Sequence, residues 1–325
     1  MPEQPLHPTQ MDEQTIADCH KLVELALVED VHDTDLEKAW DCTTLSVVPD
    51  DIDAAATFVS RDEGVVCGLQ VAQLAIKRFA PKLKLELLVS DSQPVAPKQA
   101  LAVLSGEARK ILMMERTCLN FMCRLSGIST LTNRFVQLAN AAKTPKDSKA
   151  KILDTRKTTP GWRRLEKYAV ACGGGENHRM GLYDAVMIKD NHLAMYGAHI
   201  DNHDLSVTQA IEMTRAWVVE NKQRLPHGEK TIVQIEVDTL EQLELALSAT
   251  PDIVLLDNMD TQQLSKAVAM RDAANQQVRL EASGGVNLST IVGIASTGVD
   301  RISIGALTHS AVNFDIGLDW RFGSQ

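Results

Sequence analysis

The feature that most constrains the fold is a series of six short apolar runs in the second half of the chain. Each run is nearly continuous in apolar residues, and helical or loop-like segments separate one run from the next. Strands of this kind, alternating with helices, predict a parallel sheet that is covered on both faces. The predicted strands cover residues 151–154, 185–188, 232–237, 253–256, 278–282 and 301–304.

Each of these runs ends in polar residues or glycine. The carboxyl ends of the strands in a parallel α/β barrel lie on one face, so these residues are expected to converge there. One or two polar ends could be turn residues or helix caps, but six in succession favour a catalytic rim. A closed eight-stranded barrel takes about 250 residues, and residues 121–309 fall well short of that length. We therefore expect an incomplete barrel of six or seven strands.

The first half of the chain has a mixed α+β pattern and no obvious chemistry of its own. Residues 1–15 are predicted to form a flexible tail. Ser126 and Gly127 could bend or interrupt the longest predicted helix, and a polar linker over residues 144–148 precedes the change in pattern. The predicted elements are helices over residues 16–28, 69–79 and 108–142 and strands within residues 54–66 and 83–103.

The charge balance and the cysteines argue against several classes of protein. The chain has 33 Lys and Arg against 43 Asp and Glu, a net charge of −10, which disfavours binding to nucleic acid or to an anionic membrane. Its polar start is unlike a signal peptide, and no run approaches the roughly 20 apolar residues of a membrane span, so a cytoplasmic protein is expected. The six cysteines form no Cys-x-x-Cys pair, which disfavours a zinc site or a disulfide framework. Cys172 could be a nucleophile, although an inert buried thiol is the commoner case.

Residues 151–192, called here the basic segment, form a cationic stretch in this acidic chain. The segment holds eight Lys and Arg against five Asp and Glu and contains a Gly-Gly-Gly turn. A charge run is most often a solvated surface. Arg156 and Lys189, however, directly follow apolar runs, where the face of a surface helix would not place them. This placement favours a binding site for a small, highly anionic ligand.

The other strand ends carry groups that suit phosphate and a metal ion. Ser283-Gly284-Gly285 and Gly305 follow the last two runs, where barrels often bind phosphate through backbone N–H groups. Glu236 and Asp257 at neighbouring strand ends suit a magnesium ion, but a plain ion pair with a basic residue explains them equally well. His178 could contact a ligand or be a loop histidine with its own partners.

Several long motifs occur together in one order. They read DTRKTTPG, EKYAVACGGGENHR, IKDNH, IEVD, LLDN, EASGG and ISIGALTH. On these motifs the chain resembles the quinolinate phosphoribosyltransferase family, also called nicotinate-nucleotide pyrophosphorylase (carboxylating), from about Leu25 to Leu307. The resemblance implies transfer of phosphoribosyl from phosphoribosyl pyrophosphate to quinolinate with decarboxylation, in the synthesis of NAD.

The resemblance also implies a domain organisation and an assembly. An N-terminal α/β sandwich over residues 16–120, joined by residues 310–325, would accompany a catalytic barrel over residues 121–309. The minimal assembly would be a homodimer, and a hexamer is left open. The substrates are small molecules, and neither nucleic acid nor a membrane is an expected partner.

For quinolinate, the resemblance implies a set of cationic residues. Arg156, Arg179 and Lys189, with His178 nearby, would hold its two carboxylates. Arg116, in the ERTCLN motif, would enter the active site of the partner subunit.

For the sugar donor, the resemblance implies three catalytic residues. Lys157 would face the pyrophosphate, and Glu236 and Asp257 would face the ribose hydroxyls and Mg²⁺, the expected cofactor. The residues implied to bind the 5-phosphate are Ser283, Gly284, Gly285 and Gly305.

The chain departs from the family pattern in two places. The early Gly-Asp-x-Thr-Thr element reads Trp40-Asp41-Cys42-Thr43-Thr44 after a longer loop over residues 32–39, and residues 195–230 form a second long segment. Neither contains a predicted site residue. Three other interpretations stay open: a Schiff base on Lys189, a non-catalytic dicarboxylate carrier, and a related enzyme linked to molybdenum metabolism.

Overall fold

The structure is a computed structural model that describes residues 10–144, 149–199 and 207–321. The chain divides into two compact units. The N-terminal unit runs up to Asn133 and adds Thr158–Gly174 and the chain from Leu307 onward. The C-terminal unit comprises Arg134–Lys157 and Gly175–Ala306. The predicted linker over residues 144–148 lies almost wholly outside the described residues, as do residues 1–9 of the predicted tail.

The N-terminal unit contains an antiparallel sheet of four strands in the order β12-β1-β5-β3. Strand β12 pairs with β1, with Ala56 opposite Trp320, so the end of the chain adds a strand to this sheet. A separate pair joins β2 to β4. The strands of this unit are β1 (Asp53–Ser60), β2 (Gly64–Val65), β3 (Lys84–Leu87), β4 (Pro94–Val95), β5 (Ala100–Glu107) and β12 (Ile316–Arg321).

The first helix begins earlier than predicted. Asp12 is its N-cap and accepts a hydrogen bond from the backbone N–H of Thr15 at 2.6 Å. The prediction that the tail extends to residue 15 is therefore wrong, because this cap starts the helix at residue 13. The helices in this part of the chain are α1 (Glu13–Val31), α2 (Cys42–Val47), α3 (Leu69–Phe79) and α5 (Arg163–Cys172).

The long helix α4 (Ala108–Ala141) continues through Ser126 and Gly127. A Cβ on Gly127 would lie 2.1 Å from the carbonyl oxygen of Val312, and the Ser126 hydroxyl bonds both backbone groups of Cys67 at 2.9 Å. The small residues thus allow close packing instead of a break, and the expected interruption is absent. The predicted border between residues 120 and 121 falls inside this helix.

The C-terminal unit contains a parallel sheet of six strands in the order β6-β11-β10-β9-β8-β7. All six predicted strands are present, each within one residue of its predicted ends, which confirms the α/β fold class. A parallel bridge from Leu153 to Glu176 adds one residue beyond β6. The strands are β6 (Lys151–Leu153), β7 (Val186–Ile188), β8 (Val233–Val237), β9 (Ile253–Asp257), β10 (Arg279–Ser283) and β11 (Arg301–Ser303).

Helices follow most of these strands. The segment over residues 195–230, predicted as a long loop, is largely helical where it is described. No helix among the described residues has the length and apolarity needed to cross a membrane. The helices that follow β7 to β11 are α6 (Asp190–His199), α7 (Val207–Asn221), α8 (Leu240–Ser248), α9 (Thr261–Ala274), α10 (Ile291–Ala295) and α11 (Ala306–His309).

Candidate active site

Two arginines of the C-terminal unit lie close enough to repel each other. Arg156 follows β6, and Arg179 lies in the loop before β7. Burial and the charge of Arg156 lower the pKa of the Arg179 guanidinium, and Asp184 offsets this only in part. Arg179 donates from Nη1 to the carbonyl oxygen of Ala185 at 2.9 Å, whereas the buried Nε of Arg156 has no hydrogen-bond partner. Two neighbouring positive charges and a buried N–H without a hydrogen-bond partner make a site that a bound anion would stabilise.

A mixed-charge group lies at the carboxyl ends of β7, β8 and β9. The ammonium of Lys189 donates to Oε2 of Glu236 in an ion pair. Burial and then Asp238 raise the pKa of Asp257, while Lys189 and Lys157 act in the opposite direction. Lys157, Lys189 and Asp257 therefore share one electrostatic neighbourhood. Of the two explanations left open for the acidic residues, the ion pair is present for Glu236.

The turn after β10 packs against the end of β9. Gly284 and Gly285 have φ values of +93° and +62°, a conformation that favours glycine. A Cβ on Gly284 would lie 2.1 Å from Oδ1 of Asn258, while one on Gly285 would meet nothing within 4 Å. Asn258 bonds the carbonyl oxygen of Ser283 at 2.9 Å and Oδ2 of Asp257 at 2.7 Å. Gly285 is therefore the residue with open space beside it in the turn that is predicted to bind phosphate.

The predicted site residue His178 is held by groups that sequence reasoning missed. Its backbone N–H donates to Oδ1 of Asp154 at 2.8 Å, and its Nε2 lies 3.2 Å from Oε1 of Glu281. Glu281 also accepts a hydrogen bond from Nε of Arg301 at 2.8 Å. His178 therefore has neighbours within its own unit, and its contact with a ligand stays a prediction. One signal was available, since Glu281 is a lone carboxylate in an apolar run and shares a strand face with Ser283.

The other cations of the basic segment do not belong to this group. Arg163, Arg164 and Lys167 lie on α5 in the N-terminal unit. Arg164 pairs with Asp18 at 3.2 Å, and Lys167 is buried. The basic segment is therefore divided between the two units.

Two further residues singled out by the sequence also lie in the N-terminal unit. Arg116 is exposed on α4. Cys172 is a buried thiol, which agrees with the commoner interpretation of that residue. Gly305 follows β11 in the C-terminal unit.

The carboxylates present suit a hard cation only with help from a ligand. In the part of the chain that the structure describes, no three His, Cys, Asp or Glu residues are grouped so as to hold a metal. Glu236 and Asp257 supply oxygen donors, the type that magnesium prefers, and magnesium commonly takes its remaining ligands from substrate phosphates and water. Both carboxylates thus fit a magnesium ion bound jointly with substrate.

Comparisons with known proteins cover nearly the whole chain. The model of the quinolinate phosphoribosyltransferase N-terminal domain matches residues 41–126, and that of the C-terminal domain matches residues 128–319. The chain belongs to the quinolinate phosphoribosyltransferase family. The family predicted from the sequence motifs is thereby confirmed.

Individual relatives of this family are similar along most of their length. Nicotinate-nucleotide pyrophosphorylase (carboxylating) of Mycobacterium leprae is 40% identical over 287 residues, which cover 88% of this chain and 93% of the relative. The chloroplastic enzyme of the same name from Oryza sativa subsp. japonica is 37% identical and covers 97% of this chain and 79% of its own. The solved structure of nicotinate-nucleotide pyrophosphorylase from Francisella tularensis matches with a TM-score of 0.81 and 34% identity, over 98% of this chain and all of the other.

Proposed function

We propose that this chain transfers the phosphoribosyl group of phosphoribosyl pyrophosphate to the ring nitrogen of quinolinate. Pyrophosphate leaves C1 of the ribose, and the ring then loses one carboxyl group as carbon dioxide and gains a proton, giving nicotinate mononucleotide for NAD synthesis. The names of the relatives state this reaction. The observation that carries it for this chain is the Arg156–Arg179 pair, two cations held together without a full set of partners.

Quinolinate is an aromatic ring with two adjacent carboxylates, and the Arg156–Arg179 pair suits it. Guanidinium groups stay charged at any working pH and bind carboxylates through two parallel hydrogen bonds. Burial and repulsion by Arg156 lower the pKa of Arg179, and binding of a dianion would offset both. Lys189, already paired with Glu236, would add a third cation at the border with the sugar site.

The sugar donor would occupy the mixed-charge group. Glu236 and Asp257 would accept hydrogen bonds from the ribose hydroxyls and hold Mg²⁺ together with oxygens of the donor. The magnesium ion would neutralise negative charge on the departing pyrophosphate. Lys157, which lies near enough to Asp257 to influence its pKa, would face the pyrophosphate. The 5-phosphate would lie at the Ser283–Gly285 turn and Gly305, where backbone N–H groups can reach its oxygens.

The chemistry then needs positioning and charge, and no protein nucleophile. Departure of pyrophosphate leaves positive character on the ribose ring, as in other glycosyl transfers. The cations hold the pyridine nitrogen in line with C1 and stabilise the leaving group. Once the nitrogen is ribosylated, it stabilises the negative charge that loss of carbon dioxide leaves on the adjacent carbon. Lys157 or a water molecule returns a proton to that carbon.

One assay tests the proposal directly. Purified protein with quinolinate, phosphoribosyl pyrophosphate and magnesium should release carbon dioxide and pyrophosphate in equal amounts. Chelation of the magnesium should stop the reaction, and added magnesium should restore it. Nicotinate in place of quinolinate should give no product, because it lacks the second carboxylate. Absence of pyrophosphate release would instead support a carrier.

The Schiff-base alternative is tested separately. The side-chain nitrogen of Lys189 is engaged in an ion pair with Glu236, which opposes its attack on a carbonyl carbon. We therefore expect borohydride in the presence of a carbonyl compound to leave the protein unmodified. A covalent adduct at Lys189 would support the alternative.

The proposal includes a cytoplasmic homodimer in which Arg116 of one subunit completes the site of the other, with a hexamer left open. Arg116 is exposed on α4, as a residue that reaches a partner would be. Mixing Arg116→Ala subunits with Arg156→Ala subunits should regenerate one intact site per heterodimer, although each variant alone is inactive. Verified heterodimers that stay inactive would contradict the shared site.

A further inference from the structure

A buried network in the C-terminal unit connects the backbones of the two arginines predicted to bind quinolinate. Glu281, in the middle of β10, is fully buried, and His178 is nearly so. Burial alone would raise the pKa of Glu281, but His178 and Arg301 outweigh it and lower that pKa to about 2. The carboxylate is therefore a fixed negative charge inside the unit. Such a charge is costly unless both of its oxygens have partners.

Each oxygen of Glu281 has its own cationic or polar neighbour. Oε2 accepts from Nε of Arg301, whose backbone is directly opposite Glu281 in the β10–β11 register. Oε1 lies 3.2 Å from Nε2 of His178. Strand β10 and Arg301 hold the carboxylate of Glu281 in place on one side. Its other oxygen, Oε1, therefore has a fixed position next to the imidazole of His178.

The imidazole is also fixed on its other side. The backbone N–H of Arg179 donates to Nδ1 of His178 at 2.7 Å. With Nδ1 accepting, the ring carries its proton on Nε2, the nitrogen that faces Glu281. The imidazole of His178 thus lies between Glu281 and the backbone N–H of Arg179.

A third contact extends the network to the other arginine. Oδ1 of the buried Asp154 accepts from the backbone N–H of His178 at 2.8 Å. Asp154 is two residues before Arg156, and His178 is one residue before Arg179. Asp154 and His178 therefore join the two segments that carry the arginines, although the charges of the arginines repel each other.

We infer that Glu281, acting through His178, is a positioning residue that sets the spacing of Arg156 and Arg179 and so the selectivity for two adjacent carboxylates. This inference rests on the proposed function. Glu281 touches no substrate. It holds the two guanidinium groups at the separation that an aromatic 1,2-dicarboxylate needs, against the repulsion that would move them apart.

The test compares two variants that make the same chemical change. Glu281→Gln removes the charge of a carboxylate paired with Arg301. Asp300→Asn removes the charge of a carboxylate paired with another buried arginine, Arg271, at 2.6 Å, outside the predicted site. We expect Glu281→Gln to raise the KM for quinolinate about tenfold and to leave the KM for phosphoribosyl pyrophosphate nearly unchanged. Asp300→Asn should lower the thermal midpoint and change neither KM.

A second variant separates positioning from folding. His178→Phe keeps a planar ring, removes both nitrogens and leaves the Glu281–Arg301 pair in place. Its effect on quinolinate binding by calorimetry should equal that of Glu281→Gln, and the double variant should be no worse than either single one, because both changes interrupt the same network. If Glu281→Gln does not fold, His178→Phe alone should give the selective rise in the KM for quinolinate.

The outcomes distinguish this inference from the proposed function. A wild-type protein that neither binds quinolinate nor releases pyrophosphate would overturn the function itself. If wild type is active and folded Glu281→Gln and His178→Phe keep its KM for quinolinate, the inference fails and the function stands. Additive effects in the double variant, or equal changes in both KM values, would also overturn it.

Discussion

Two arginine sites in the C-terminal unit show how differently the same side chain can be balanced. Arg271 donates to Oδ2 of Asp300 at 2.6 Å, to Oδ1 of Asp272 at 2.8 Å and to the carbonyl oxygen of Val278 at 3.2 Å. Arg156, by contrast, has an unpartnered buried Nε and a second arginine, Arg179, as its electrostatic neighbour. The first arrangement stabilises the fold, while the second leaves a buried N–H for the substrate anion that we propose binds there.

The location of the two sites agrees with this difference. Asp300 directly precedes β11 and also accepts the backbone N–H of Leu280 at 2.7 Å, so the Arg271 site lies at the amino ends of the strands. Arg156 follows β6, and Arg179 lies shortly after Glu176, which is bridged in parallel to Leu153 at the end of that strand. The pair therefore lies on the side of the carboxyl ends, where barrel enzymes bind their substrates. A half-buried cation with an unpartnered buried N–H is thus a better guide to a candidate binding site than a count of charges.

The largest expected effect is on ligand binding at the incompletely balanced site. Arg156→Ala should weaken quinolinate binding about 100-fold, the loss expected for a charge-assisted, two-point contact. The thermal midpoint should stay the same or rise, because repulsion of Arg179 is relieved. Calorimetric titration and thermal unfolding measure the two quantities. Unchanged affinity, or a large loss of stability, would make Arg156 a structural residue like Arg271.

The Arg271 site, where the charges are balanced, should lose stability and keep substrate binding unchanged. Asp300→Asn should reduce the free energy of unfolding by about 2 kcal/mol, since a buried guanidinium loses one charged partner and keeps another. Urea denaturation gives this value, and steady-state kinetics should show both KM values close to those of wild type. A selective change in the KM for quinolinate would mean that the two arginine sites are coupled.

The smallest expected effect is on the pH dependence of stability, which should have opposite signs for Asp257 and Glu281. Folding raises the pKa of Asp257 above 3.8, so the folded chain holds that proton more tightly, and stability falls as the pH rises through the interval above 3.8. Asp257→Asn should therefore be more stable than wild type at neutral pH, and the difference should shrink toward pH 4.

Glu281 should show the reverse. Its pKa falls from 4.5 to about 2 on folding, so its stabilisation is present above pH 4.5 and is lost as the pH falls toward 2. The deficit of Glu281→Gln should be largest at neutral pH and shrink below pH 4.5. Urea titrations between about pH 2 and pH 7 compare the two variants, and equal slopes for both would contradict the assignment of the two environments.

The sequence predicted the sheet of the C-terminal unit well because buried parallel strands are nearly continuous in apolar residues. The break expected in α4 was wrong for a physical reason. Gly127 has no side chain, so the carbonyl oxygen of Val312 can approach it closely. This contact joins residues far apart in the chain, and no local sequence pattern predicts it. Helix α7 was not predicted, because the unusual length of residues 195–230 led to their interpretation as a loop.

The predicted site was recovered in part for similar reasons. Lys189 and Glu236 were placed together because strand ends converge, and the structure pairs them. The division of the basic segment between the two units was not foreseen, because charge counted along the chain does not show which unit each residue joins. Glu281 was missed because its pairing with Arg301 depends on the β10–β11 register, which apolar runs alone do not determine. The roles of the site residues in catalysis stay predictions.

The close approach of Gly284 to Asn258 restricts how this enzyme family member can change over time. A single methyl group at Gly284 would displace the side-chain amide of Asn258 that donates to Asp257. The Ser283–Gly285 turn and Asp257, which we propose bind the phosphate and the ribose, therefore cannot vary independently. Substitutions in one loop should be tolerated only with compensating substitutions in the other. Redesign for a different sugar donor would therefore have to replace both loops as a unit.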